Sequence, residues 1–151
     1  MTFEEALEKE GRIIHTNRGV SMRPFVKEGR DVMVIEPLKE KPKKYDAVMF
    51  RRENASGGKT AYVLHRVMKV LPGDVFYIIG DNTVSGEYVK LENILGIMTY
   101  IQSEDREIDC ANDARYQRLV RAWWLVYPIR KCLLRARGFL GKCKRRFVGR
   151  A

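Results

Sequence analysis

Cysteine and histidine are scarce in this sequence, and their scarcity restricts the sites that the chain can build. The three cysteines, Cys110, Cys132 and Cys143, form no Cys-x-x-Cys pair, and the histidines are His15 and His65 alone. Zinc sites use closely spaced Cys and His ligands, and disulfide frameworks need many cysteines in a short chain. The sequence therefore predicts reduced thiols, no metal site and no cofactor.

Long apolar runs are also absent. The longest candidate, AWWLVYPI at 122–129, is too short to cross the roughly 30 Å of bilayer hydrocarbon. The first residues, MTFEEALEKEG, are acidic and amphipathic, which is not the pattern of a secretory signal. These features predict a chain without a transmembrane helix, located in the cytoplasm or peripherally on the inner face of the membrane.

Acidic residues are nearly missing from the C-terminal part of the chain. Residues 112–151 contain 12 Lys and Arg and one acid, Asp113, whereas residues 1–111 contain 17 bases and 18 acids. The formal net charge of +10 therefore belongs to the C-terminal segment. Since 151 residues suffice for one core, we predict a single body over 1–111 and a basic helical tail over 112–151.

Short β-type runs separated by turn residues fill the region from 12 to 109. They include DVMVIEP, YDAVMFRR, AYVLHRVMKV, VFYII and ILGIMTYIQ, with PGD, GDN and SEDRE between or after them. Short connections favour antiparallel pairing, so the fold class is mainly β, an antiparallel sheet or a barrel-like body. A short helix precedes it, because Thr2 and Glu5 fit a capping box and Gly11 can end a helix over 2–10.

Helical spacing returns in the tail, on both sides of Pro128. Apolar and aromatic residues recur every three or four positions: Tyr116, Leu119, Val120, Trp123, Val126 and Tyr127, then Ile129, Cys132, Leu133, Ala136, Phe139 and Leu140. This pattern predicts two amphipathic helices or one kinked helix.

Two uses of the tail stay open at this point. The apolar stripe either covers a face of the β body or lies in the headgroup layer of an anionic membrane. The residues predicted to meet a membrane are Trp123, Trp124, Arg118, Arg121 and Arg130. Nucleic acid is disfavoured as a partner, because charge alone supports it and no reading motif is present.

One serine stands in a context that suits a nucleophile. The stretch GVSMRP places Ser21 after Gly19 and Val20 and before Met22 and Pro24. A glycine permits close backbone approach, and free N–H groups beside the hydroxyl could form an oxyanion hole. On this stretch alone, a turn or helix-cap serine is the commoner interpretation.

Two later stretches supply candidates for a general base and its partner. In YVLHRV, strand alternation places His65 in a largely apolar face, where it is either a core residue or a base for a serine hydroxyl. In YIIGDN, Asp81 follows an apolar strand in a common turn. Its carboxylate could also hold the imidazole in the tautomer that a base needs.

Taken in order, these stretches resemble the signal peptidase and SOS-repressor-type superfamily of serine peptidases. The superfamily signature Gly-x-Ser-Met-x-Pro matches Gly19 to Pro24, and KKYDAVMF resembles its GDVVxF strand. YVLHRVMKVLPGD resembles the box with the general base, and GDNTVSGEYVKLENILGIM resembles the GDN box with its trailing Gly-x-Val. The resemblance covers residues 17–100 and is closest to the Ser-His branch, the signal peptidases of the ER and archaeal type.

The resemblance implies a serine endopeptidase that hydrolyses a peptide bond in a small or leader-type peptide. It implies that Ser21 is the nucleophile, His65 the general base and Asp81 the residue that supports the imidazole. The residues that it implies for substrate binding and the oxyanion hole are Gly19, Val20, Met22 and Pro24.

The chain departs from the family pattern in two places. The family's signal peptidases have a membrane-spanning segment before the serine box, where this chain has the acidic helix and turn of 1–11. The ER-type enzymes have a further aspartate after the GDN box, where this chain has Ser85 and Glu87. Two alternatives therefore stay open, a self-cleaving regulator like the SOS repressors and a non-catalytic peptide-binding module. The first is disfavoured, because neither a helix-turn-helix before the serine nor an Ala-Gly cleavage segment is evident.

Overall fold

One antiparallel sheet of eight strands forms the body of the protein in the computed structural model, which describes residues 2–52 and 60–136. In chain order, the helices and strands are α1 (Phe3–Glu10), β1 (Ile13–Thr16), β2 (Val32–Glu36), β3 (Ala47–Arg52), β4 (Ala61–Leu71), β5 (Val75–Ile79), β6 (Gly86–Lys90), β7 (Ile94–Ser103), β8 (Arg106–Asp109) and α2 (Ala114–Leu125). The strand order is β1-β2-β7-β3-β4-β5-β6, with β8 also paired to β7. The prediction of a mainly antiparallel β body is confirmed, and the sheet is open rather than closed into a barrel.

The N-terminal helix has the ends that its sequence predicts. The Thr2 hydroxyl accepts a hydrogen bond from the Glu5 N–H at 3.2 Å, and the Thr2 N–H donates to the Glu5 carboxylate at 2.9 Å. Gly11, with φ of 69°, takes the left-handed conformation that ends a helix and that glycine adopts without strain. The predicted capping box is therefore present.

Two hydrophobic clusters lie on opposite faces of β4, because successive side chains of a strand point to opposite sides of the sheet. We call the larger one the large core; it contains Leu64, Met22, Val26, Met49, Ile79 and residues of α2. We call the other the small core; it contains Val67, Val48, Phe50, Phe76 and Ile78. His65 and Arg66 are neighbours on β4, so they face different clusters.

The helix α2 belongs to the large core. Its Tyr116, Val120 and Trp124, spaced by four residues, are all buried there. Asp113 begins the helix by accepting a hydrogen bond from the Tyr116 N–H at 2.9 Å. The stripe of α2 therefore covers a face of the β body, which is the first of the two uses left open by the sequence.

The helical tail is interrupted at Val126. A turn at this residue follows α2, and residues 127–136 are helical again. Pro128 lies in the first turn of this second segment, where its missing N–H breaks no helical hydrogen bond. The tail is thus two helices rather than one kinked helix. The last two residues of the predicted stripe, Phe139 and Leu140, lie outside the described residues, and no helix within the described part is long and apolar enough to cross a membrane.

The packing of α2 predicts opposite results for two adjacent residues. Trp124 is 6% exposed and Leu125 is 82% exposed. We expect Trp124→Ala to lower the free energy of unfolding by about 3 to 5 kcal/mol through the cavity it leaves, and Leu125→Ala to change it by less than about 0.5 kcal/mol. Urea unfolding of both variants measures this, and similar values for the two would mean that α2 does not pack on the body.

Candidate active site

Ser21 lies in a tight turn that its neighbours hold in place. Met22 is fully buried in the large core, and its carbonyl accepts a hydrogen bond from the Val26 N–H at 3.0 Å. The Arg23 N–H donates to the Val20 carbonyl at 3.2 Å, and the bond between Arg23 and Pro24 is cis. Ser21 itself is half-buried, so solvent can reach it, while the adjacent Met22 holds the turn in the core.

The residues implied for substrate binding around this serine do not share one environment. Val20 and Pro24 are exposed, and Gly19 is half-buried with φ of 96°, a conformation that favours glycine. Met22 has no exposed surface. The Met22 side chain fills the core beneath the turn, so only its backbone could take part in the substrate or oxyanion site predicted for it.

The GDN stretch is hydrogen-bonded directly to the serine turn. The Asn82 N–H donates to the Ser21 carbonyl at 2.8 Å, and the Asn82 side-chain amide donates to the Val20 carbonyl at 3.3 Å. Two stretches that lie far apart in the sequence thus form one unit. Their hydrogen bonds fix the position of the Ser21 backbone relative to the end of β5.

Gly80 is the point at which Ser21 and His65 come together. A β-carbon on Gly80 would lie 2.9 Å from the Ser21 carbonyl oxygen and 3.0 Å from Nε2 of His65. The contact with the Ser21 backbone is closer than β-carbons show, and the contact with the imidazole would require that side chain to shift, so a glycine suits this position. The structure therefore packs the backbone of Ser21 and the imidazole of His65 around the same glycine.

His65 is a half-buried imidazole on β4, opposite Val48 of β3 and against the Phe50 ring. Burial lowers the pKa of His65 below its ordinary value of 6.5, because desolvation disfavours the charged form. Among the nearby charges, the Glu87 carboxylate raises the pKa of His65 most, the Arg52 guanidinium lowers it, and the Asp81 carboxylate raises it least. The imidazole is thus neutral at neutral pH, the form that accepts a proton from a hydroxyl.

Asp81 does not support His65 through a hydrogen bond, so this part of the sequence prediction is wrong. Its buried carboxylate accepts hydrogen bonds from Nε and Nη2 of Arg66, both at 2.7 Å, and from Nε1 of Trp124 at 2.9 Å. Nδ1 of His65 is buried and has no hydrogen-bond partner among the described residues. The reason is the pleat of β4, which turns Arg66 toward Asp81 and His65 to the other face.

Glu87 is the carboxylate that acts on His65 from its own face. It stands opposite Ile78 of the small core, and both of its oxygens are bound by the Arg52 guanidinium, one of them at 2.8 Å from Nε. This ion pair is part-exposed. Glu87 thus lies near His65, where the family resemblance implies a further aspartate, but its carboxylate oxygens bind Arg52.

The tail helices hold the backbone of Asp81 as well as its side chain. Nε1 of Trp123 and Nη1 of Arg130 donate to the Asp81 carbonyl at 2.9 Å and 3.0 Å. The Arg130 guanidinium also lies 3.7 Å from the centre of the Trp123 ring and donates to the Trp123 carbonyl at 2.9 Å. Trp123, Trp124 and Arg130, which the sequence predicted at a membrane surface, are thus engaged inside the protein.

Sequence reasoning missed Arg66 and the hydrogen bonds that Trp123, Trp124 and Arg130 make to Asp81. The available signal was the position of Arg66 between Leu64 and Met68 on an otherwise apolar face of β4. A guanidinium buried on such a face requires a buried carboxylate. The described residues contain no group of three His, Cys, Asp or Glu side chains that could hold a metal ion.

Comparison with known proteins adds no relative. No protein-family model matches the chain, and no curated protein and no solved structure was found to be similar to it.

The buried ion pair of Asp81 predicts a large effect of removing one charge. We expect Asp81→Asn to lower the free energy of unfolding by about 3 to 5 kcal/mol, because Arg66 is left buried without its counter-charge. Asp74→Asn is the matched control, since Asp74 pairs with Lys41 at 2.6 Å on the surface and solvent screening limits the loss to about 1 kcal/mol or less. Equal losses in the two variants, measured by urea unfolding, would contradict a central role for the buried pair.

Proposed function

We propose that this protein is a serine endopeptidase, with Ser21 as nucleophile and His65 as general base. The observation that carries the proposal is the packing of the Ser21 backbone and the His65 imidazole around Gly80, since the Ser21 carbonyl oxygen and Nε2 of His65 lie 2.9 Å and 3.0 Å from the position that a β-carbon of Gly80 would take. The resemblance of four stretches to the Ser-His signal peptidases supports it from the sequence. In this mechanism His65 takes the Ser21 proton as the hydroxyl oxygen attacks the peptide carbonyl, and the imidazolium then gives that proton to the leaving amine.

The environment of His65 suits this cycle. A neutral base accepts the serine proton, and the positive charge then formed on the imidazole needs a nearby negative charge. Glu87 supplies it through space, since it is the charge that raises the pKa of His65 most. Asp81 instead binds Arg66 on the other face of β4, and this contact holds the loop that contains Gly80 and Asn82.

The substrate of the proposed reaction is a peptide in extended conformation. Extended peptides bind beside strand edges, where main-chain hydrogen bonds give affinity and alternate side chains enter pockets. The resemblance implies small residues beside the cleaved bond and a leader-type or other small peptide as the substrate.

A non-catalytic peptide-binding module is the second candidate. The observation that favours it is Nδ1 of His65, which lacks the carboxylate partner found in a complete Ser-His-Asp triad. Covalent labelling separates this candidate from an enzyme, because only an activated serine forms a bond with an electrophilic probe.

Labelling with a fluorophosphonate probe tests the proposal directly. We expect the wild-type chain to be labelled and Ser21→Ala to be unlabelled. His65→Ala should lower the rate by roughly 100-fold or more, the usual range for loss of a general base. Gly80→Ala should also label slowly, because its methyl group pushes apart the Ser21 carbonyl and the imidazole. Ser85→Ala is the control for a change in the same loop. No labelling of folded wild-type protein would reject the enzyme and favour the binding module.

The pH dependence of labelling tests the roles of His65 and Glu87. Because the neutral imidazole is the active form and its pKa is lowered, we expect the rate to fall with decreasing pH at a midpoint below 6.5. Glu87→Gln removes the charge that raises this pKa and leaves Arg52, so its midpoint should move to still lower pH. Glu92→Gln, on an exposed residue paired with Lys90, should leave the midpoint unchanged. A midpoint above 6.5, or one that Glu87→Gln does not move, would contradict these roles.

A further inference from the structure

The outer side of the tail helices carries an unusual set of exposed apolar residues. With Trp123, Trp124 and Tyr116 turned inward, five large apolar side chains are left in solvent, which we call the tail ridge: Leu119, Leu125, Val126, Ile129 and Leu133. Four of them are more than half exposed although they belong to helices, with Leu119 at 54%, Leu125 at 82%, Ile129 at 66% and Leu133 at 61%. A surface of this kind is typical of a docking site.

The charges on the tail helices themselves, from Ala114 to Ala136, have a single sign. Four arginines of the same helices are exposed, namely Arg115, Arg118, Arg121 and Arg135. No acidic residue occurs anywhere between Ala114 and Ala136 in the sequence, and residues 137–151 add six further Lys and Arg and no acid. A partner of this surface must therefore be apolar and negatively charged.

We infer that the tail ridge binds an anionic lipid surface, with the two tail helices lying in the plane of the headgroups. An apolar ridge flanked by cations is the pattern of interfacial helices, which insert their apolar side below the headgroups and attract anionic lipids with Lys and Arg. A second copy of the chain fits less well, because the ridge would then bring two cationic surfaces together. Of the residues that the sequence predicts at a membrane, Arg118 and Arg121 remain exposed for this contact, whereas Trp123, Trp124 and Arg130 bind Asp81.

This arrangement gives the tail two opposite roles. Its inner side is bound to the GDN loop through Trp123, Trp124 and Arg130, while its outer side binds lipid. The body would therefore be held at a fixed orientation to the membrane, with the loop that carries Gly80 directly behind the bound helices. The lipid contact itself does not depend on peptidase activity, so it can be tested without a substrate.

Flotation of the full chain with lipid vesicles tests the inference. We expect the wild type to float with phosphatidylcholine vesicles that contain phosphatidylglycerol and to stay behind with pure phosphatidylcholine. Replacing Leu125, Ile129 and Leu133 together by serine should abolish flotation. The matched control replaces Ile14 and Val70 by serine, since these side chains are 63% and 54% exposed on the β body, and it should float like the wild type.

Charge variants test the electrostatic part separately. Replacing Arg118 and Arg121 by glutamine should weaken binding by about fivefold per arginine, and raised salt should weaken it further. Circular dichroism and urea unfolding would show that each variant is folded, which is expected because all substituted residues are exposed.

Three results would overturn the inference. The first is a folded wild type that does not float with anionic vesicles. The second is flotation that survives the triple serine substitution or does not require phosphatidylglycerol. The third is concentration-dependent self-association that the triple substitution abolishes, with no vesicle binding, which would make the tail ridge an interface between copies of the chain. Loss of serine labelling with normal flotation would reject the proposed activity and leave the lipid site in place.

Discussion

The buried ion pair of Asp81 and Arg66 is the constraint on which the candidate site depends. Their side chains are 0% and 1% exposed, and charges so deeply buried are tolerated only when their remaining hydrogen-bonding groups are satisfied. Arg66 meets this condition by donating to the Tyr45 carbonyl at 2.7 Å as well as to Asp81, and Asp81 by accepting from Trp124. One pair thereby joins β4, the GDN loop and α2. None of the three can move without exposing or orphaning a buried charge.

Strand alternation divides this arrangement into a structural side and a chemical side. Arg66 lies on the face of β4 where it binds Asp81, whereas its sequence neighbour His65 lies on the other face. The strand thus separates the residue that fixes the Asp81 loop from the residue proposed as the general base. The tail helices bind only to the structural side, so they hold the Asp81 loop without approaching His65. A site arranged in this way receives its rigidity from the opposite face of the sheet.

The sequence predicts the local features of this structure better than the contacts between residues that are far apart in the chain. The β runs, the capping box of Thr2 and Glu5 and the helical tail are local patterns, and the structure has them. The packing of the Ser21 backbone and the His65 imidazole around Gly80 agrees with the order of four stretches rather than with any one of them. The partner of Asp81 was not predictable in the same way, because it depends on which face of β4 the turn after β5 approaches. The prediction of Trp123, Trp124 and Arg130 at a membrane was wrong for a related reason. Trp and Arg side chains suit both a lipid headgroup layer and a buried carbonyl or carboxylate, and only the contacts with Asp81 in the folded structure distinguish the two.

The unpartnered nitrogen of His65 bears on the choice between a core histidine and a catalytic one. A buried polar atom without a hydrogen bond lowers stability by about 1 to 3 kcal/mol, so a histidine that serves only packing is expected to be paired or replaced by an apolar residue. Nδ1 of His65 is buried without a partner, although two carboxylates act on the ring through space. A buried group without a partner calls for a specific explanation, and a catalytic role is one of those known. Glu87 is bound to Arg52 rather than to the imidazole, and a positive charge formed on His65 during acylation would compete with Arg52 for this carboxylate. The unpaired nitrogen is therefore compatible with the proposed base as well as with the binding module, and the labelling of Ser21 distinguishes the two.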